Sequence, residues 1–310
     1  MGFWGWRQGA CAVFISVLVT ACVPAQNASP KPPPAPPATS APTEPERYFS
    51  DRSTIRAVLK SIRLLALMCV AKVRRMRLVW TVHNVRSHEH YHPAAERAFW
   101  WLFVRLIDAY VALSPTSMRL ARSAYPRLMA KQSVVSGLGT YADEYGHQPV
   151  RAVARECLSV TDADGIIVFF GQLRAYKGVP ELITVFRGVR NPAARLIVAG
   201  RTDSTESGEL IRERAAGDPR VRVHLGFQER DKLAELICAA DLVVLPFRAI
   251  LHSASALLAL SLERPVLAPA IGAMPDLLRA AGKEWVRLYD GELTEEVLRD
   301  ALEWAKATRT

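Results

Sequence analysis

The sequence predicts an α/β protein whose C-terminal half is a doubly wound parallel sheet with helices on both faces. Three observations carry that prediction. From Gly165 onward, short β-branched runs alternate with helical stretches at close spacing. The runs are continuously apolar, as strands buried on both faces must be. A glycine ends each of the first three runs, at Gly171, Gly200 and Gly226, which puts all three at one edge of the sheet.

The chain of 310 residues has room for two domains. Its formal net charge of +10 points to an anionic partner without choosing among nucleic acid, acidic lipid and a phosphate-bearing substrate. The five cysteines are scattered with no CxxC pair, which argues against a zinc site or a disulfide framework. Cys69, Cys157 and Cys238 fall in apolar helical patterns and are expected to be buried thiols.

Residues 1–44 differ from everything after them. Arg7 precedes an apolar run at 10–21, and Val19-Thr20-Ala21-Cys22 resembles a bacterial lipobox. The run is shorter than the ~20 residues that span a bilayer but suits a signal-peptide core. A Pro/Ala/Ser/Thr tract follows and is expected to be an extended tether. Two readings stand: an exported lipoprotein, or a start that is not native to the enzyme-like remainder. A short membrane anchor is a third.

Residues 53–77 carry apolar side chains at helical spacing with Arg and Lys between them. Either an amphipathic helix lies on anionic lipid, or a helix packs on a sheet with a solvated basic face; the strand that follows at once favours the second. That strand is 78–83, followed by an aromatic-rich helix at 97–109, a strand at 110–113, a helix at 116–123 after Ser114-Pro115, and a strand at 133–137. Residues 139–163 show no strong period and read as the inter-domain connection. From there strands are expected at 166–170, 195–199, 221–225, 242–246, 265–268 and 285–288. Helices are expected at 180–189, 207–216, 230–239, 254–262 and 294–306.

In such sheets ligands bind beyond the carboxyl ends of the strands. The first strand runs into Gly171-Gln172-Leu173-Arg174-Ala175-Tyr176-Lys177-Gly178 and then a helix. A glycine for close approach, two cations and a helix N-terminus together describe a diphosphate cradle, although a solvated basic turn fits the same residues. The loop matches neither the Walker pattern nor GxGxxG, which counts against ATPase and NAD-enzyme readings. Ser253 and Ser255 open the helix after the fourth strand and are read either as plain caps or as phosphate or ribose ligands.

The series GQLRAYKGVPELI, RLIVAGR, VRVHLGF, ADLVVLPFRAILHSASALLALSLERPVLAP and GAMPDLL resembles the donor domain of family 4 type GT-B glycosyltransferases. It is most similar to the mannosyl- or glucuronosyltransferase branch of bacterial polysaccharide assembly. VWTVHNVRSHEHY resembles the end of that branch's N-terminal domain. The resemblance implies a GT-B-like α/β fold of two Rossmann-like domains: a partial acceptor domain at 45–150, about half of it absent, and a nucleotide-sugar donor domain at 151–310. It implies that Arg174 and Lys177 hold the donor diphosphate, that Gly171 and Gly200 let it approach, and that Ser253 and Ser255 bind phosphate or nucleoside. His83, a candidate general base, would face the cleft with Asn84, His88 and Glu89. The paired glutamates of the widespread family are replaced by Ile250 and Leu258, and His252 and Glu263 stand where the branch often has small residues.

The implied reaction moves a sugar from a nucleotide-diphosphate sugar to a hydroxyl of a lipid-linked or polysaccharide-precursor acceptor, with no metal and no further cofactor. The expected place is the cytoplasmic face of a membrane, with an anionic membrane surface as a partner and nucleic acid excluded. The alternatives are a degenerate, non-catalytic nucleotide-sugar-binding protein and a GT-B-like sugar-nucleotide epimerase.

Overall fold

The computed structural model describes residues 12–15, 53–86, 92–145, 148–161 and 165–308. The chain divides into two compact units, Met1–Gly137 and Leu138–Thr310. Each contains a wholly parallel sheet, in the order β1-β2-β3-β4 in the first unit and β10-β9-β8-β5-β6-β7 in the second.

In the first unit the strands are β1 (Ala12–Ile15), β2 (Arg77–Val82), β3 (Ala109–Ala112) and β4 (Gln132–Val135). The helices are α1 (Thr54–Val73), α2 (Pro93–Leu106) and α3 (Pro115–Ala124). Ala12–Ile15 falls inside the stretch expected to be a signal-peptide core; here it is a strand paired in register with Arg77–Trp80. A short run of β-branched and aromatic residues suits a sheet as well as a leader, and composition alone does not separate them. Ser114 caps α3 through a reciprocal capping box with Ser117, as Ser114-Pro115 foretells. Trp80, Trp100, Phe99 and Phe103 form the aromatic core between β2 and α2. Asp108 ties this unit together: its carboxylate accepts from the Leu78 amide at 2.8 Å and the Lys72 ammonium at 2.7 Å.

The outward face of α1 departs from the favoured expectation. Ile55, Leu59, Ile62, Val70 and Val73 are all exposed and follow one helical stripe, while Ala57, Ser61 and Met68 face inward. Helical periodicity fixes that one face is apolar but not which face meets the sheet. Cys69 and Cys157 are likewise exposed rather than buried; Cys238 is buried as expected.

In the second unit the strands are β5 (Gly165–Phe170), β6 (Ala194–Gly200), β7 (Val221–Leu225), β8 (Leu242–Val244), β9 (Val266–Pro269) and β10 (Val286–Tyr289). The helices between and around them are α4 (Arg151–Cys157), α5 (Val179–Gly188), α6 (Thr205–Ala215), α7 (Arg230–Ala239), α8 (Ala254–Ser261), α9 (Met274–Ala281) and α10 (Glu295–Ala307). β5 is buried along its whole length, as its unbroken GIIVFF predicts. Three elements named here lie outside the sequence expectation. α4 and a 3-10 turn at Asp143–Tyr145 occupy the presumed connection, and α9 follows β9.

α4 is held by a charge cluster that a hydrophobic pattern cannot reveal. Arg155 and Asp241 are both almost wholly buried and lie 2.7 Å apart. Asp241 also accepts from Arg151 and, at 2.8 Å, from the Ile166 amide at the head of β5. Arg155 completes its fork on the carbonyls of Ala239 and Thr161. The Asp241 carboxylate and the Arg155 guanidinium are both matched, which is the condition under which buried charges are tolerated, while the buried Arg151 Nε has no partner.

α8 ends in a paired hydrogen-bond motif: Arg264 N–H donates to Ala259 O and Glu263 N–H to Leu260 O. Glu263 sits at the left-handed position with φ 56°, a backbone well that glycine enters without a Cβ penalty. Glu263→Gly is expected to raise stability by about 0.5–1 kcal/mol, since relief of that penalty outweighs the extra freedom of the unfolded glycine. A rise in the melting midpoint on thermal denaturation checks this.

Candidate functional site

The strand order of the second unit reverses between β5 and β8. The loops leaving these two neighbours run in opposite directions and open a crevice at their carboxyl ends, the place where open parallel sheets bind ligands. Gly171, Arg174, Lys177, Gly200, Ser253 and Ser255 lie on the loops and helix starts at this edge of the sheet.

Gly171 ends β5, and a Cβ built on it would come within 3.2 Å of Ser255 Oγ. The two loops therefore touch across the switch point. Gly200 ends the adjacent β6 with φ 154°, and a Cβ there would meet Gly171 O at 1.7 Å. Only a glycine at 200 lets the two strand ends close up. After Gly171, a 3-10 turn at Ala175–Lys177 leads into α5 through Gly178 at φ 67°. A side chain at Gly178 would strike Pro246 O at 2.2 Å, so this glycine presses the start of α5 against the loop leaving β8. The same contact is reinforced by the Arg248 amide donating to Tyr176 O at 2.8 Å and by an Arg248–Glu181 ion pair at 2.6 Å.

Lys177 is half-buried in this corner, with its ammonium 4.1 Å from the Phe247 ring centroid. Among the described residues neither Lys177 nor Arg174 has a carboxylate partner. Burial, and then the like charge of Arg174, holds the Lys177 pKa down to about 8. Two uncompensated cations beside a helix N-terminus favour an anion, and a diphosphate satisfies both. A bound anion would raise the lysine pKa, so binding takes up a proton above pH 8. Nucleoside diphosphate affinity is expected to be flat below about pH 8 and to fall by up to about tenfold per pH unit above it. A series of titrations across pH 7–10 measures this, and a Lys177→Arg variant should flatten the curve.

The two serines separate into different roles. Ser253 is buried and caps α8, its hydroxyl accepting from the Ala256 amide at 3.1 Å. Ser255 sits half-exposed in the first turn, against Gly171. Of the two, Ser255 is the hydroxyl left for a ligand. The sequence could not tell them apart, because both are capping types within two residues of the helix start.

His83 and Asn84 follow β2 directly, at the carboxyl end of the first sheet, and both make interactions of their own. His88 and Glu89 lie outside the described residues.

Comparison with known proteins bears on the second unit first. The family described as glycosyl transferases group 1 matches residues 164–307. A GDP-mannose:glycolipid 4-beta-D-mannosyltransferase of Xanthomonas campestris pv. campestris is 36% identical over 147 residues, 47% of this chain and 42% of that protein. The chain thus spans less than half the length of this curated relative. Among solved structures, sucrose-phosphate synthase from Thermosynechococcus elongatus superposes with a TM-score of 0.62 at 20% identity, covering 76% of this chain and 63% of the other. Anabaena HepE in complex with UDP gives a TM-score of 0.64 at 18% identity, covering 81% and 68%. At these identities the structural likeness shows a shared fold.

Proposed function

We propose, from the match of residues 164–307 to the family described as glycosyl transferases group 1, that this chain moves a sugar from a nucleotide-diphosphate sugar to a hydroxyl of a glycolipid or polysaccharide precursor. The observation that carries the reading is the pair Arg174 and Lys177, without carboxylate partners among the described residues, in the corner between β5 and β8. In the reaction the bond between the anomeric carbon and the diphosphate oxygen breaks and a glycosidic bond to the acceptor oxygen forms. Negative charge grows on the departing diphosphate, and fixed cations with helix-end amides stabilise it most at that point. Gly171 and Gly200 leave room for the diphosphate, and the Ser255 hydroxyl donates to it. The acceptor hydroxyl loses its proton to a base, for which His83 is the candidate, with Asn84, His88 and Glu89 on the acceptor side. No step in this scheme assigns a role to a metal ion.

GDP-mannose is the first donor to try, because the Xanthomonas relative carries it in its name. The acceptor side is proposed to work at an anionic membrane surface on the cytoplasmic side, reached through α1. Its exposed stripe of Ile55, Leu59, Ile62, Val70 and Val73 is flanked by Arg56, Lys60, Arg63 and Arg74. Apolar insertion combined with basic flanks is how interfacial helices hold to acidic lipid. None of the helices among the described residues is long and apolar enough to cross a membrane.

Incubation of the full chain with GDP-mannose or UDP-glucose and a lipid-linked oligosaccharide extract, read by mass spectrometry, tests the proposal. A glycolipid gaining one hexose supports it. An epimerised free donor would instead favour the epimerase reading. Bound donor without product would favour a non-catalytic binder.

A further inference from the structure

The first unit holds a cavity of about 500 Å³ along α2, which reaches Arg86 in the loop that leaves β2. Arg86, Arg97, Arg105 and Arg127 line it, with Trp100 and Trp101, and among the described residues the one carboxylate in its wall is Glu96. Glu96 is 5% exposed and already engaged. Among the described residues, none of the four arginines is paired with a carboxylate.

The local geometry is ordered. Arg97, Trp101 and Arg105 follow one another at i, i+4 and i+8 along α2, so they form a single stripe. The Arg105 guanidinium lies 3.2 Å from the Trp101 ring centroid and donates to the Trp101 carbonyl at 2.5 Å, which fixes its fork. Desolvation, and then the like charge of Arg127, lowers the Arg105 pKa. In the same wall the buried Trp100 indole N–H has no hydrogen-bond partner, although a buried donor ordinarily finds one.

α1 runs alongside α2 in the same direction. Thr54 meets His92 at their first turns, 3.4 Å apart, and Lys72 meets Asp108 at their ends, 2.7 Å apart. The stripe of exposed apolar residues on α1 and the arginine–tryptophan stripe on α2 therefore belong to neighbouring helices of one unit. A tryptophan 59% exposed between two arginines suits the boundary between acyl chains and headgroups.

We propose that this cavity is a discrete phosphate site that takes the headgroup phosphate of an acidic lipid, held by Arg97, Arg105 and Arg127 with the glycerol backbone against Trp101. The phosphate chemistry stands on the cavity itself; only its assignment to a lipid rests on the membrane reading of α1.

The test uses the full chain carrying Arg174→Ala and Lys177→Ala, so that the donor corner cannot take up phosphate. Monomeric dihexanoyl-phosphatidylglycerol and glycerol 1-phosphate are titrated separately, with tryptophan fluorescence as the signal. Added Arg97→Gln and Arg127→Gln should weaken saturable binding of the lipid at least tenfold while the circular dichroism and melting curve stay unchanged. Binding of glycerol 1-phosphate as tight as that of the lipid would keep the phosphate site and overturn its lipid assignment. No saturable binding of either probe, or equal binding by the arginine variant, would overturn the site. A Leu59→Gln/Ile62→Gln variant distinguishes the two readings: it should reduce capture on phosphatidylglycerol vesicles and leave binding of the monomeric lipid intact.

Discussion

Replacing Arg174 and Lys177 together by alanine is expected to weaken nucleoside diphosphate binding by about 100-fold or more, with no change in the unfolding midpoint. Hydrogen bonds to charged groups contribute about 1.5–3 kcal/mol each, and two of them are lost. Neither side chain has a carboxylate partner among the described residues, so removing them leaves no stranded charge behind. Lys177 should be the costlier single loss. It lies half-buried against Phe247 and its charge is the less screened of the two. Calorimetric titration of the parent, each single variant and the double variant gives the comparison. A double variant that binds like the parent would move the diphosphate elsewhere.

The second large effect is on folding rather than binding. Asp241→Ala is expected to cost about 3–5 kcal/mol, because it strands Arg155 as an uncompensated buried cation and leaves the Ile166 amide without its acceptor. Urea denaturation followed by circular dichroism measures it. Asp241→Asn keeps the shape and one acceptor oxygen but loses the charge, and should fall between the two. A cost below about 1 kcal/mol for the alanine variant, the scale of an exposed pair, would contradict the account of the node.

The parts of this structure that were legible in the sequence share one property: each is written in a local pattern. The alternation from β5 to α10 shows as apolar runs and helical periods. The corner between β5 and β8 shows as glycines and cations at strand ends. Gly171, Gly200, Arg174 and Lys177 come together as their spacing on βα loops suggests, and Ser255 joins them. What escaped depends on partners distant in sequence. α4 has a weak period, and Arg155 reads as a surface residue until Asp241, far along the chain, lies against it. The outward stripe of α1 and the exposed Cys69 on the same helix could not be read, because periodicity names a face without saying what covers it. Ser253 and Ser255 could be told apart only by seeing which hydroxyl the Ala256 amide takes. The arginine cavity on α2 was also missed. The signal for it was present as Arg97, Trp101 and Arg105 at helical spacing, but Arg127 reaches it from a different element.

Calorimetric titration of the full chain with GDP and with UDP tests the central claim most directly. Saturable one-to-one binding, with GDP the tighter of the two, is the predicted result. No heat and no saturation with either nucleotide, from a sample whose circular dichroism shows it folded, would contradict the donor site and the transferase reading together.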